Sequence, residues 1–350
     1  MNSFKFLAYS ILTIFVASCG DGNVSPDSLF EIEIADAKKK IHQQSTIKIN
    51  LKNKKNKTIN SVAYTIDDTK IELSDSKTTL NMEKVGQKTI SATITYDDDK
   101  TATVSKKIIV FASTPPSVYT YEVVNEFPHN QNNFTQGLEF YKDTLYEGTG
   151  KRGKSVLQKL DFKTGKVYKE HKLKNTQFGE GITILNNKVH QLTWQSNIGF
   201  VYDPITFEEI DQFTYGKSKE GWGLCNDGKN LIKSDGTQKL WTLNPNTLVE
   251  ESYIEVYTNS KKLIKINELE YVNDKIYANT WQSGQDVAVI IDPKSGVVEG
   301  IINFNGLKEK VTKHANLDVL NGIAYHPTRK TFFVTGKYWD KMFEVNILKK

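Results

Sequence analysis

Apolar and polar residues alternate at period two through the first third of the chain. Three segments show this pattern clearly, residues 29–34, 46–51 and 88–96, and it is typical of strands with one buried face. The run Asp97-Asp98-Asp99 interrupts the last segment and predicts a hairpin turn, after which alternation resumes. Seven or so short strands in this space predict a small immunoglobulin-like β-sandwich over residues 27–113.

From residue 119 onward the chain repeats itself. Each repeat opens with three residues: a polar or aromatic residue, a second residue that is Gly in four of the five repeats, and an aliphatic residue. The openings are Gln136-Gly137-Leu138, Glu180-Gly181-Ile182, Trp222-Gly223-Leu224, Asn267-Glu268-Leu269 and Asn321-Gly322-Ile323. The openings recur roughly every 40 to 55 residues and apolar strands follow each one, as in the blades of a propeller. After a stiff linker at residues 114–117, we therefore predict a five-bladed β-propeller over residues 119–350. The predicted fold class is all-β.

Equivalent positions in the repeats predict a shared pocket. The innermost strand of every blade lines the central channel of a propeller, so the five opening residues should converge on its axis. Trp194 and Trp281 occupy equivalent places after their openings, and Lys337 lies in the matching stretch of the last repeat. We expect one mouth of the channel to collect indoles, amides, a lysine and the carboxylate of Glu180. Such a mixed apolar and polar cavity is the default binding site.

The first residues of the chain resemble a bacterial lipoprotein signal. Lys5 precedes an apolar run over residues 6–17, too short for the roughly 20 residues of a membrane span. The sequence Val16-Ala17-Ser18-Cys19 follows and resembles a lipobox. We expect residues 1–19 to be a lipoprotein signal peptide with Cys19 as the lipidated residue. This predicts a membrane-anchored protein of the cell envelope, facing the periplasm or the exterior; the alternative is ordinary cleavage nearby.

Composition narrows the remaining functions. The chain has 350 residues and a net charge of +5, too small an excess to indicate nucleic-acid binding. Its two cysteines exclude a four-cysteine zinc site, and we expect Cys225 to be a packed core thiol. The six scattered histidines predict no metal site, and no phosphate-binding, dinucleotide or serine-hydrolase motif is present. We expect no cofactor. His129 is expected at the surface, with the rim of the channel mouth near Phe134 as the alternative.

The motifs around these openings resemble the plant and bacterial type of the glutaminyl-peptide cyclotransferase family, also called glutamine cyclotransferase. The resemblance covers roughly residues 119–347 and is carried by 134–139, 178–183, 191–195, 220–224, 266–270, 279–282, 320–324 and 335–340. It implies an enzyme that turns N-terminal glutamine into pyroglutamate and releases ammonia without a metal ion. Its implied site residues are Phe134, Gln136, Phe178, Glu180, Trp194, Trp222, Asn267, Trp281 and Lys337, and Asn321 joins them from the repeat pattern.

The chemistry needs few protein groups, because the substrate carries its own nucleophile. Its α-amine has a pKa of about 7.7–8.0 and can attack the γ-carboxamide within one molecule. We expect Glu180, with its pKa raised by burial, to carry the proton. Gln136, Asn267 and Lys337 are candidates for holding the amide and the developing oxyanion, while a salt bridge of Lys337 with Asp340 or Glu268 is the structural alternative.

Two other functions stay open from the sequence. The first is a propeller that binds peptide N-termini or another small ligand without turnover, and the second is a surface adhesion protein with the propeller as a spacer. A protonatable group at the centre of the ring favours the enzyme, and the aromatic pocket disfavours a spacer. We expect a monomer whose partners are peptides or proteins with N-terminal glutamine, and the membrane through its lipid anchor.

Overall fold

The computed structural model describes residues 25–35, 40–281 and 284–350, and their regular secondary structure is almost entirely β-strand. The exceptions are a short α-helix, α1 (Pro26–Leu29), and a 3₁₀ turn at Lys308–Lys310. This confirms the all-β class predicted from the sequence. In the described part of the chain, no helix has the length and apolar character required to cross a membrane. The predicted signal peptide and Cys19 lie outside the described residues.

The first eight strands form two sheets around one core. They are β1 (Phe30–Ile34), β2 (Ile41–His42), β3 (Thr46–Asn53), β4 (Ile59–Ile66), β5 (Thr69–Ile71), β6 (Lys77–Thr79), β7 (Gly86–Tyr96) and β8 (Lys100–Phe111). One sheet has the order β1-β3-β6 and the other β2-β8-β7-β4-β5. Buried residues from both sheets, among them Phe30, Ile49 and Ile90, share one apolar cluster. The predicted turn at Asp97-Asp98-Asp99 joins β7 to β8.

The middle of the chain forms three four-stranded antiparallel sheets. After β9 (Ser117–Pro128) come β10 (Thr135–Tyr141), β11 (Thr144–Thr149), β12 (Val156–Leu160) and β13 (Val167–Lys172). The next sheet contains β14 (Gly179–Leu185), β15 (Lys188–Thr193), β16 (Ile198–Tyr202) and β17 (Glu209–Thr214), and the third contains β18 (Leu224–Asn226), β19 (Leu231–Ser234), β20 (Lys239–Leu243) and β21 (Glu250–Glu255). In each of them consecutive strands are neighbours.

The last strands form a larger sheet that β9 completes. They are β22 (Ile266–Val272), β23 (Lys275–Thr280), β24 (Val287–Ile291), β25 (Val298–Asn303), β26 (Leu320–His326), β27 (Thr331–Gly336) and β28 (Lys341–Lys349). The order is β22-β23-β24-β25-β9-β28-β27-β26. β9 pairs antiparallel with β28 and parallel with β25, so a strand from before the first repeat joins the end of the last one.

The first strands of the five repeats pack in a closed cycle. β10 contacts β14, β14 contacts β18, β18 contacts β22, β22 contacts β26, and β26 returns to β10. Glycines permit this approach: a Cβ on Gly137 would lie 2.5 Å from the backbone nitrogen of Ile182, and one on Gly223 would collide with the carbonyl of Asn267. A larger residue at either position would push neighbouring strands apart.

Four of the five opening residues lie in irregularities of these first strands. The register of pairing shifts across Gln136 in β10, Glu180 in β14, Asn267 in β22 and Asn321 in β26. The fifth, Trp222, lies just before β18. An extra residue in a strand bends it and redirects a side chain, and such bulges place these side chains at one end of the cycle.

Candidate active site

A cavity of about 200 Å³ lies at this end of the cycle of first strands. It is lined by Phe134, Gln136, Lys151, Phe178, Glu180, Trp194, Trp222, Asn267, Trp281, Asp318 and Lys337. Nine of the ten site residues named from the sequence therefore meet around one space, although they come from five repeats. The tenth, Asn321, does not line the cavity; its Nδ2 atom donates to Gln136 Oε1 at 2.9 Å from behind.

Glu180 is the buried carboxylate of the cavity. Its side chain is almost inaccessible, and Oε1 accepts a hydrogen bond of 2.8 Å from Gln136 Nε2. Burial raises the pKa of Glu180 well above its ordinary value, and the charge of nearby Glu220 adds to this, whereas Lys337 opposes it. Oε2 has no hydrogen-bond partner among the described residues. A raised pKa and a free oxygen atom suit a group that exchanges a proton with a ligand.

Lys337 is the buried cation of the cavity. Its ammonium group lies 4.6 Å from the centre of the Phe134 ring, and burial lowers the pKa of Lys337 to about 8, against the opposing effect of Glu180. The alternative salt bridge with Asp340 or Glu268 is not formed. Asp340 instead accepts hydrogen bonds from Thr312, and Glu268 accepts the backbone N–H groups of two first strands at Leu138 and Ile323.

Aromatic rings form the walls of the cavity. Phe134 contacts Phe178 with ring centres 5.9 Å apart, Phe178 contacts Trp194 at 5.4 Å, and Trp222 contacts Trp281 at 5.8 Å. The pairs are edge-to-face, a favoured geometry for aromatic contacts. Trp281 is 46% exposed, so it forms the rim while Phe134 lies deep. The walls remove water from a ligand that enters.

Two walls are joined by Glu220, which the sequence reasoning did not single out. Its Oε2 atom accepts 2.8 Å hydrogen bonds from the indole nitrogens of both Trp194 and Trp222. The sequence contained a weak signal, because Glu220 lies two residues before an opening Trp.

Two further cavity residues were also missed, Lys151, whose ammonium group lies 4.0 Å from the Phe134 ring centre, and Asp318. They come from loops, where neither strand period nor repeat position marks a residue.

Asn267 supplies a second unoccupied acceptor. The residue is buried, and its Oδ1 atom has no hydrogen-bond partner among the described residues. Buried polar atoms without partners are costly and rare. Glu180 Oε2 and Asn267 Oδ1 are therefore two buried acceptors without partners among the described residues, and both belong to residues that line the cavity.

A polar network supports the loop that carries Phe134. Buried Glu147 accepts hydrogen bonds from His129 Nε2, Asn133 Nδ2, Thr135 Oγ1 and Gln158 Nε2. The prediction that His129 lies at the surface is wrong, since the imidazole is buried and its Nδ1 atom is 2.7 Å from the carbonyl of Trp339. Although burial opposes it, Glu147 raises the pKa of His129. The pair thus ties the Phe134 loop to the loop after Lys337.

The described residues contain no group of three or more His, Cys, Asp or Glu side chains arranged to hold a metal ion. Cys225, the predicted core thiol, is buried in an apolar cluster, and burial raises its pKa well above the ordinary value. It lines no part of the cavity described above. The chemistry available there is that of a carboxyl group, an ammonium group, amides and aromatic rings.

Comparison with known sequences places these features in a family. The sequence profile of glutamine cyclotransferases matches residues 91–347. The chain belongs to the glutamine cyclotransferase family. This confirms the family indicated by the sequence motifs, and the match extends before residue 119 into β7.

Two relatives within the glutamine cyclotransferase family are informative. A glutaminyl-peptide cyclotransferase of Arabidopsis thaliana is 43% identical over 230 residues, which are 65% of this chain and 71% of the plant protein. The crystal structure of Myxococcus xanthus glutaminyl cyclase aligns with a TM-score of 0.62 at 31% identity, covering 67% of this chain and 99% of the other. About a third of the present chain thus has no counterpart in that bacterial structure.

Proposed function

We propose that the protein cyclises N-terminal glutamine residues of peptides or proteins to pyroglutamate and releases ammonia. Membership of the glutamine cyclotransferase family supports this activity.

We further propose that the fold is a five-bladed propeller over residues 119–350, preceded by an immunoglobulin-like sandwich over residues 27–113. The closed cycle of five first strands and the two-sheet core before it support these two assignments.

The observation that carries the proposal is the pair of unoccupied acceptors inside an aromatic cavity. An N-terminal glutamine offers N–H groups at both reacting ends, its α-amine and its γ-carboxamide. Glu180 Oε2 is available to one and Asn267 Oδ1 to the other. The cavity volume of about 200 Å³ is smaller than the roughly 300–1,000 Å³ of pockets for whole ligands, so it suits one residue of a peptide.

The main task of the site is to hold the glutamine curled. Attack of the amine on the δ-carbon closes a five-membered ring within one molecule, and good orientation contributes up to roughly 7–11 kcal/mol in such reactions. The walls formed by Phe178, Trp194 and Trp222 restrict the side chain and exclude water. Neither a protein nucleophile nor a covalent intermediate with the chain is required by this route.

Glu180 moves the proton in the proposed reaction. As the amine nitrogen bonds to the amide carbon, the Glu180 carboxylate takes one proton from the amine. Glu180 then delivers this proton to the amide nitrogen, the bond between that nitrogen and the amide carbon breaks, and ammonia leaves. The carboxyl group ends in its starting state, so all atoms and charges balance. The hydrogen bond from Gln136 fixes the orientation of Glu180; Asn321 in turn holds Gln136. We therefore assign Gln136 to positioning.

Lys337 stabilises the negative charge that develops on the amide oxygen. A buried ammonium group in a cavity shielded from water interacts strongly with such a charge. Asn267 accepts a hydrogen bond from the substrate and sets its orientation. These roles follow from the placement of Lys337 and Asn267 on the same cavity as Glu180.

We propose that the mature protein is tethered to a membrane of the cell envelope through lipidated Cys19, as a monomer. The small residues before Cys19 support this location. Two acyl chains on one cysteine suffice for stable anchoring. Metabolic labelling with a fatty acid tests it: the native chain should incorporate label and Cys19→Ser should not, whereas equal labelling would overturn the anchor.

The activity is tested by ammonia release from a peptide that begins with glutamine. The protein should release one ammonia per peptide, with and without a chelator, and Glu180→Gln should lower kcat by roughly 10²–10⁴. Glu170→Gln, an exposed change on β13, is the matched control and should keep full activity. No ammonia from the native protein would refute the function, and loss only with chelator would refute the metal-independent route.

A further inference from the structure

A groove continues from the candidate site across its Trp222 wall. It has a volume of about 470 Å³ and is lined by Lys217, Ser218, Lys219, Glu220, Trp222, Asp235, Gly236, Thr237, Gln238, Lys239 and Trp241. Trp222 lines both spaces, and Glu220, which lines the groove, accepts the indole hydrogen of Trp222. A peptide whose first residue fills the smaller cavity must place its following residues outside, and the groove is an adjoining space of sufficient size.

The wall between the two spaces is firmly held. Glu220 receives the indole hydrogen of Trp222, and on the groove side Gly236 packs directly against the same indole, since a Cβ there would lie 2.6 Å from its ring atoms. Under the groove, fully buried Lys233 pairs with Glu250 at 2.9 Å. The groove is thus a built surface with a fixed floor and one fixed side.

The groups that the groove offers to a ligand are mainly cationic. Lys217 and Lys219 are exposed, and their ammonium groups form no salt bridge among the described residues, although the backbone N–H of Lys217 donates to Glu250 Oε2. Lys239 lies over the rings of Trp241 and Tyr253 at 5.2 and 4.0 Å. The two acidic groups face other partners: Asp235 accepts hydrogen bonds from Trp241 Nε1 and Thr237, and Glu220 accepts them from two indoles.

Cations also lie next to the aromatic walls of the smaller cavity. Lys151 lies over Phe134 at 4.0 Å, Arg152 over Trp194 at 5.6 Å and Lys265 over Trp281 at 5.3 Å. Cations therefore flank both the cavity and the groove, and Asp318 is the one further acidic side chain, besides Glu180, in the cavity lining. Charges at a binding rim mainly select partners and raise the association rate.

We propose that this groove binds the second and third residues of the substrate and selects peptides with acidic residues there. The inference rests on the proposed cyclisation and adds a substrate class to it. Lys217, Lys219 and Lys239 are the specificity-determining residues, acting on the substrate beyond the reacting glutamine. Because Lys217 and Lys219 are exposed, salt screens their effect.

A comparison of three glutamine substrates, each measured separately, tests the inference. Ammonia release is measured for a Gln-Glu-Glu peptide, a Gln-Lys-Lys peptide and glutamine amide, which ends before the groove and serves as the reference. In the native protein kcat/KM should be several-fold higher for the acidic than for the basic peptide, and the ratio should shrink at high salt. In the Lys217→Glu, Lys219→Glu double variant the ratio should fall to one or invert.

The matched control is Lys229→Glu, a charge change on an exposed turn of the same sheet outside both cavities; it should keep the native ratio. Equal kcat/KM for the two peptides in the native protein would refute the proposed role of the groove in selecting acidic peptides, while leaving the cyclase activity intact. A preference that the double variant retains would also overturn it. Absence of ammonia from every glutamine substrate would refute the proposed function, and the groove with it.

Discussion

Gln136 and Glu180 share a hydrogen bond of 2.8 Å inside the pocket, although they belong to different sheets and are 44 residues apart in the chain. The bond leaves one oxygen of Glu180 free and fixes the other. It links two neighbouring first strands at the positions where both deviate from regular pairing. The orientation of the proposed proton carrier therefore depends on the contact between two repeats.

Gln136→Leu tests this dependence. Loss of a hydrogen bond to an ionisable group costs about 1.5–3 kcal/mol, so kcat should fall roughly ten- to a hundred-fold while the fold persists. Steady-state ammonia release measures it. Gln212→Leu, an exposed change on β17, is the control. Unchanged kcat in Gln136→Leu would show that Glu180 needs no orienting partner.

Glu180→Gln should stabilise the protein at neutral pH. The pKa of Glu180 is raised in the folded state, so the carboxylate favours unfolding once the pH exceeds its ordinary unfolded pKa, and this cost grows up to the raised folded pKa. Glutamine does not ionise and avoids the cost. Urea unfolding at acidic and neutral pH should show a gain for the variant that is larger at neutral pH. A loss at both would contradict it.

Lys337→Arg should change the alkaline side of the pH profile. Lys337 loses its proton as the pH rises through its pKa of about 8, so stabilisation of the oxyanion and kcat should fall above that pH. Arginine keeps its proton throughout this range, and the alkaline decline should disappear. Lys337→Met removes the charge, and kcat should drop roughly 10²–10³-fold. A decline that survives in Lys337→Arg would assign it to another group.

Glu220→Gln should weaken substrate binding. The carboxylate holds the indoles of Trp194 and Trp222 together, and a neutral amide makes weaker hydrogen bonds to both. We expect KM to rise several-fold with a smaller effect on kcat, measured by ammonia release. Glu251→Gln in β21 is the control. A fall in kcat at constant KM would instead place Glu220 in the chemical step.

The pair of His129 and Glu147 should contribute strongly to folding. Its stabilisation is fully present only between two limits: it decreases as the pH falls through the lowered pKa of Glu147 and as the pH rises through the raised pKa of His129. Glu147→Leu leaves buried donors unpaired and should cost about 3–5 kcal/mol, measured by denaturant unfolding. Glu72→Gln, at an exposed ion pair, should leave the midpoint almost unchanged.

Repetition made the site accessible to sequence reasoning. Glu180 and Trp194 have no neighbours in sequence that identify them, but their places in the repeats match those of Asn267 and Trp281. Equivalent places in equivalent strands converge when first strands pack side by side, and this packing needs the glycines visible in the sequence. The family and its activity could be predicted for the same reason, since the motifs are these repeat positions.

Contacts between loops could not be predicted in this way. The bridge from Glu220 to two indoles depends on side-chain geometry that no period encodes. His129 was predicted at the surface; it lies in the loop between β9 and β10, and nothing in the sequence marks Glu147 of β11 as its partner. Asn321 occupies an opening position, yet its amide donates to Gln136 behind the cavity lining. The repeat position alone does not determine whether a side chain reaches the cavity.

The pairing of β9 with β28 has a consequence for synthesis of the protein. Ser117–Pro128 leaves the ribosome early, but its antiparallel partner, Lys341–Lys349, is made last. Until then β9 and the earlier sheets present open edges that favour aggregation. Contacts this distant in sequence also form slowly. The nascent chain should therefore depend on chaperones until its final strand is translated.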